Sequence, residues 1–361
     1  MGQLQTIRRW IRIAGAAYCA LFAAISLAWI IRDLRRFGGA DDLWWNWSGF
    51  PGQLSYGPHG SAYQDLLLLV LYVTVGVIAV RSAVAGSALV TVAVATVGLR
   101  LPGLWNLHTK TMDYVPDGLL TRARLTCWAE VLASVALLAA VLSGRRGARS
   151  RPQSQDSGAH ASDAYRPAPY AAAAPYEERA PWAPPARPTQ VGATIGLFAL
   201  AGAGVAMIGW QLYVLSRVHW HTYQKLLVDV RFNVSLLDQP PAWETWFVAL
   251  LAVVAGCAAL RRAPSVRPLG TIAAFLVGGF ALMEFSLLLR FDIYDYWSEL
   301  PTNAQVRALL APAEVVAGLV ALLALARRGP EVPGSAQGPE DARGGAAPQD
   351  PVAPAQSAAP Q

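Results

Sequence analysis

Apolar residues along this chain neither alternate with a period of two nor gather on one helical stripe. They run on. Crossing a bilayer takes about 20 apolar residues at about 1.5 Å per residue. Runs of that order recur at 13–31, 64–80, 84–104, 125–143, 192–215, 243–260, 269–289 and 308–326. This pattern predicts an all-α, polytopic membrane protein with about eight transmembrane helices. The first run follows Arg8, Arg9 and Arg12, as a secretion signal would. It is nearly of full spanning length, ends in Ile30-Ile31-Arg32 and lacks a small-residue cleavage site, so it reads as an uncleaved first helix. The third run is interrupted near its end by Arg100 and Pro102.

Composition agrees with the pattern. Of 361 residues, 54% are hydrophobic and 14% charged, where soluble domains carry about a quarter charged. The basic residues are almost all arginine; the lysines are Lys110 and Lys225. Richness in Arg, Ala, Gly and Pro points to a high-GC bacterial source. A pI near 9.4 then speaks of helix orientation and not of nucleic acid. Arg81, the cluster Arg145/Arg146/Arg149/Arg151, the cluster Arg261/Arg262/Arg267 and the pair Arg327/Arg328 all fall on one side of an alternating topology. The opposite loops mix Asp41, Asp42, Asp113, Asp117, Asp229, Asp292, Asp295 and Glu299 with a few cations. The positive-inside rule therefore places both termini in the cytoplasm of a cell-membrane protein.

Residues 144–190 form a Pro/Ala-rich segment, "RPAPYAAAAPYEERAPWAPPARP" within it, which is too poor in apolar residues to fold alone. It is read as a disordered cytoplasmic tether, with Tyr165, Tyr170, Tyr176 and Trp182 as candidate docking points for a cytoplasmic protein. Residues 329–361 read as a disordered tail. The tether divides the spans into 1–143 and 191–328, four and four. "AEVLASVALLAAVL" from Ala129 aligns without gaps with "AEVVAGLVALLALA" from Ala313, 184 residues on. Trp29/Arg36 match Trp210/Arg217 at an offset of 181, and Gly76/Arg81 match Gly256/Arg261 at 180. An even number of spans per half predicts two parallel four-helix repeats about an axis normal to the membrane.

Ionisable residues inside spans are costly and usually face the bundle interior. Glu130, Glu284, Glu314 and Arg100 stand out. Glu130 and Glu314 occupy equivalent positions, and Arg100 and Glu284 are also 184 residues apart. They predict one outer-leaflet layer at the repeat interface, about five residues into spans four and eight. Small residues follow each acid at helical spacing (Ala133 and Ser134; Ala317, Gly318 and Ala321), so both acids should look into the bundle. An Arg100–Glu130 pair would offset much of the burial cost. Glu284 and Glu314 would meet as like charges, sharing a proton, holding a cation between them or paired with Arg290 reaching back one and a half turns. The layer is a candidate site for a cation, a proton or a small solute; the plainer reading is a clasp between repeats.

Trp29, Trp105, Trp128, Trp210, Trp243, Trp246 and Trp297 fall near external span ends, together with Trp44, Trp45 and Trp47 of "DDLWWNWSGFPG", as an aromatic belt where rings meet headgroups; residues 41–52 are the special case in it. They lie far enough past span one to form an external lid or anchor. The equivalent loop, 218–243, predicts a short surface helix. His219 and His221, with His108 or His59, make a weak metal candidate. Cys19, Cys127 and Cys257 read as small buried hydrophobes. No nucleotide, nucleophile or metalloprotease motif is present, so no cofactor and no catalytic role is expected. The leading reading is a transporter-like or solute-binding membrane protein. The alternative is a non-catalytic scaffold or sensor that recruits a cytoplasmic partner through 144–190.

Overall fold

The computed structural model describes residues 9–49, 59–82, 85–109, 112–113, 115–144, 189–228, 235–260 and 266–327. The tether at 145–188, the tail and the arginines 145, 146, 149, 151, 261 and 262 lie outside the described residues. The helices are α1 (Arg9–Phe37), α2 (Ala40–Trp47), α3 (Tyr63–Arg81), α4 (Ala85–Arg100), α5 (Gly103–Asn106), α6 (Asp117–Gly144), α7 (Gln190–Arg217), α8 (Trp220–Val228), α9 (Pro241–Leu260), α10 (Val266–Arg290) and α11 (Thr302–Ala326), with a 3-10 turn at Trp297–Glu299. Among the described residues, eight helical segments are long and apolar enough to span a membrane, α4 running on with α5 as one of them. The chain is thus an integral, multi-pass membrane protein in a lipid environment.

Each expected run is a helix, but several helices reach further than their apolar cores. The helix holding Glu130 begins at Asp117, and the one holding Glu314 begins at Thr302. Both acids therefore sit near mid-helix instead of five residues from an end. Polar residues in the extra turns carry no hydropathy signal, although the intrahelical ladder continues through them.

Local chemistry explains the breaks. Gly38 takes φ +81° and turns the chain from α1 into α2, a conformation glycine adopts without steric cost. Thr189 caps α7 by accepting from the Gly192 N–H at 2.9 Å. Pro312 lies inside α11 and cannot donate to the carbonyl of Ala308. The hydroxyl of Tyr294 donates to that carbonyl instead, at 2.8 Å.

In the first half α1 packs on α3, α3 on α4, α4 on α6 and α6 back on α1. In the second α7 packs on α9, α9 on α10, α10 on α11 and α11 back on α7. The halves meet through α10 against α4 and α3, and through α4 against α9. Small residues permit the closest approaches: a Cβ on Gly318 would fall 2.7 Å from the Cα of Gly278. Large apolar side chains such as Val73, Phe198, Leu250 and Leu323 face outward, as lipid-facing surfaces require. Cys19 and Cys127 are buried, but Cys257 is exposed on α9, where an apolar outer face is as suitable for a thiol as a core.

One further junction ties the halves. At the loop end, the Leu236 and Leu237 N–H groups donate to the carbonyls of His59 and Gly60, at 3.0 and 3.1 Å. Asp33, fully buried, holds the first of these segments through Gly60 N, Ser61 N and Ser61 Oγ at 2.6–2.9 Å.

Candidate functional site: two charge clusters and a cavity

Arg100 ends α4 and is about 1% exposed, yet it meets three acceptors. Its Nε donates to Glu130 Oε2 at 2.5 Å, Nη1 to the Leu237 carbonyl at 3.1 Å and Nη2 to Asp65 Oδ1. Asp65 is placed by helix geometry. It occupies the third position of α3, and its Oδ2 reaches back to the Ala62 N–H at 2.7 Å, half of a capping box. Beneath the cluster the Ser134 hydroxyl back-bonds to the Glu130 carbonyl, and Tyr18, Thr96 and Tyr72 continue the polar chain. Burial of this kind is tolerable because the fork of the guanidinium reaches one oxygen of each carboxylate, although Glu130 Oε1 has no partner among the described residues.

A second cluster lies in the other half. Arg307 pairs with Glu284 through Nε and Nη2, and with Glu314 Oε1 through Nη1 at 3.4 Å. Its guanidinium carbon also stands 5.7 Å from the centre of the Trp210 ring, within cation–π range.

Between the halves is a cavity of about 420 Å³. Gln64 lines it from the first half; Asp238, Glu244, Glu284, Arg307 and Glu314 line it from the second. The Gln64 amide donates to Asp238 Oδ1 at 2.9 Å and to Glu244 Oε2 at 2.5 Å. The Gln239 N–H also donates to Asp238 Oδ1, at 2.9 Å. Burial pushes the Asp238 carboxyl up to about 6, opposed by these hydrogen bonds. At the loop junction, burial pushes His59 down to about 4, partly offset by Asp33.

The tryptophans of α2 divide the wall and the seal among them. Trp47 lines the cavity and donates to the Ser61 carbonyl at 3.0 Å. Trp44 crosses to the second half and donates to Ser286 Oγ at 3.1 Å. The Arg290 guanidinium lies 5.3 Å from the Trp45 ring centre. Other tryptophans in the expected belt work inside the protein. Trp243 donates to the Gly98 carbonyl at 2.8 Å, and Trp246 to the Tyr223 hydroxyl at 2.6 Å.

The four charged residues of the expected layer therefore do not form one connected group. Arg100 meets Glu130 in a sealed cluster, while Glu284 and Glu314 face the cavity. Like charges at Glu284 and Glu314 are separated by Arg307, and not by Arg290, whose guanidinium lies over Trp45. Sequence reasoning passed over Arg307 because it lay just outside the apolar run, although it precedes Glu314 by seven residues, two helical turns on the same face. Asp65, Gln64, Asp238 and Glu244 were also passed over, each lying at the polar start of a span or in the loop before one. His219 and His221 are exposed beside α8 and on its first turn. Among the described residues, no group of three or more His, Cys, Asp or Glu side chains is placed to hold a metal ion.

Compared with known proteins, the chain matches no family model, no curated protein and no solved structure. Its function has to be argued from its own geometry.

Proposed function

We propose that this chain is a cell-membrane protein of two parallel four-helix repeats that binds a small solute in the cavity between them, in the manner of a transporter. The observation that carries the reading is the cavity itself. It is large enough for a small molecule, lies at the junction of the two halves and is lined by polar side chains from both, the charged ones coming from the second. Ligand sites in repeat-built transporters occupy this place.

Three features support the repeat. The helices of each half pack in the same order, and a short helix follows the first span of each half, α2 and α8. Gln64 and Glu244, 180 residues apart, also touch one another. Residues beside a twofold axis meet their own counterparts, and 180 is the offset that relates Gly76 to Gly256. The arginine distribution puts both termini in the cytoplasm, so the cavity would open toward the exterior, with α2 as its lid. The Arg100 cluster is then a clasp and the Arg307 cluster part of the binding wall. No catalytic role is proposed.

The test is access from water. In a chain carrying Cys19→Ala, Cys127→Ala and Cys257→Ala, Thr245→Cys or Glu284→Cys is introduced singly and intact cells are treated with a membrane-impermeant maleimide. Labelling at a rate near that of an Asp41→Cys control is the expected result. A folded protein that labels at residue 41 and at neither cavity position would remove the solute-binding reading and favour a scaffold.

A further inference from the structure

We propose that the ligand of this cavity is an organic ammonium ion bearing at least one N–H, held by Asp238, Glu244 and the Gln64 carbonyl and flanked by aromatic rings. The inference rests on the solute-binding reading above and names the chemistry of the solute.

Charge balance comes first. Four carboxylates and one guanidinium line the cavity. Arg307 is engaged by Glu284 and Glu314. That leaves Asp238 and Glu244, and among the described residues neither forms a salt bridge with a cationic side chain. Their side-chain partner is the neutral amide of Gln64, shared between them.

Donor supply comes second. An amide nitrogen carries two N–H donors, and Gln64 gives one to each carboxylate. Among the described residues its Oε1 accepts from nothing, although Gln64 is only 4% exposed and lines the cavity. A buried acceptor left unmatched is expensive. The wall here has a surplus of negative acceptors and lacks positive donors, which is what an ammonium group supplies.

The rest of the lining decides between kinds of cation. Trp47, Tyr63, Trp210 and Phe280 border the same space. Tyr63 spends its hydroxyl on the Gly279 carbonyl at 2.8 Å, and Trp47 its indole N–H on Ser61. What these two rings offer the cavity is carbon surface. Aromatic faces around a desolvated cation are the recurring recognition mode for ammonium groups. A hard inorganic cation instead takes six or more oxygen ligands in a tight cage, and about 420 Å³ is far larger than such an ion needs. Anionic solutes would face the same surplus charge as repulsion.

The experiment uses the full-length protein in lipid nanodiscs at pH 7.5 and isothermal titration with three probes of one shape: phenethylammonium chloride, 2-phenylethanol and 3-phenylpropanoate. The ammonium should bind and the other two should bind at least about tenfold more weakly. Glu244→Gln and Asp238→Asn should each weaken the ammonium by about tenfold or more, as loss of one partner of a buried charge pair does. Each variant is first checked for an unchanged unfolding temperature, and either one suffices if the other does not fold. Equal binding of the alcohol, or tighter binding of the carboxylate, overturns the ammonium assignment and leaves the solute-binding reading standing. Ammonium binding unaffected by the folded variants also overturns it. So does an absence of heat from all three probes in protein whose cavity labels from water. Absence of labelling removes the solute-binding reading itself.

Discussion

At the scale of single residues, Arg100 shows how much one side chain holds. It answers Asp65, Glu130 and a backbone carbonyl in a place with almost no water. Arg100→Leu would strand two carboxylates, and removing one partner of a buried pair costs about 3–5 kcal/mol. Thermal unfolding in detergent should record that loss. Arg100→Lys should recover little, because an ammonium lacks the planar fork. Adding Asp65→Asn and Glu130→Gln to Arg100→Leu should restore much of the stability. Asp238 gives a pH signature. Its folded value of about 6 lies above the ordinary 3.8, so the folded chain keeps a proton that the unfolded chain has lost. That contribution to stability is complete below about 3.8 and disappears as pH rises through about 6. Ligand affinity runs the other way. An ammonium ion should bind more tightly at pH 7.5 than at pH 5, and Asp238→Asn should flatten the difference in a titration.

At the scale of elements, α11 bends its rules where Pro312 interrupts it, and Tyr294 repairs the break from outside the helix. Tyr294→Phe should cost about 1–2 kcal/mol by leaving the Ala308 carbonyl unmatched. In a Pro312→Ala background the helix supplies its own donor, so the same change should cost much less. A double-mutant cycle on unfolding free energies reads the difference directly. The loop junction has its own sensitivity. His59 resists protonation down to about 4, while an unfolded chain takes the proton near 6.5. The neutral imidazole therefore supports the fold above about 6.5, and that support is lost as pH falls through about 4. His59→Phe should remove this acid-side loss, seen as a gain in unfolding temperature over the natural chain that grows below pH 6.

These elements also show what could be read in advance. Eight helices were legible because lipid demands long apolar runs. Arg100 and Glu130 were legible as partners because an unmatched charge at that depth is so costly. Arg307 was hidden by the same logic, since it lies in a polar helical turn that hydropathy counts as loop. Gln64 with Glu244 is a contact between distant segments, and no local pattern announces one.

At the scale of the molecule, the two halves are joined by many small bonds as well as by the chain segment between them, the tether read from the sequence. Tyr63 with Gly279, Trp243 with Gly98, Arg100 with Leu237 and the backbone pairs at 59–60 and 236–237 all cross between them. None involves the tether. Residues 1–144 and 189–361, expressed as separate chains in one cell, should therefore associate and co-purify. Failure to co-purify, with each piece present in the membrane, would mean that the tether is needed to bring the halves together.

The third bond of Arg100 has a consequence for how the protein is made. The ribosome finishes the first four spans well before it reaches Leu237. Until then one N–H of a buried guanidinium has no acceptor, and the Gly98 carbonyl still awaits Trp243. A chain that stops in the tether keeps both defects for its lifetime. Its half-life in a pulse-chase should be shorter than that of the whole protein, and co-expression of residues 189–361 should lengthen it. The same arginine that stabilises the finished molecule would thus mark an incomplete one for degradation.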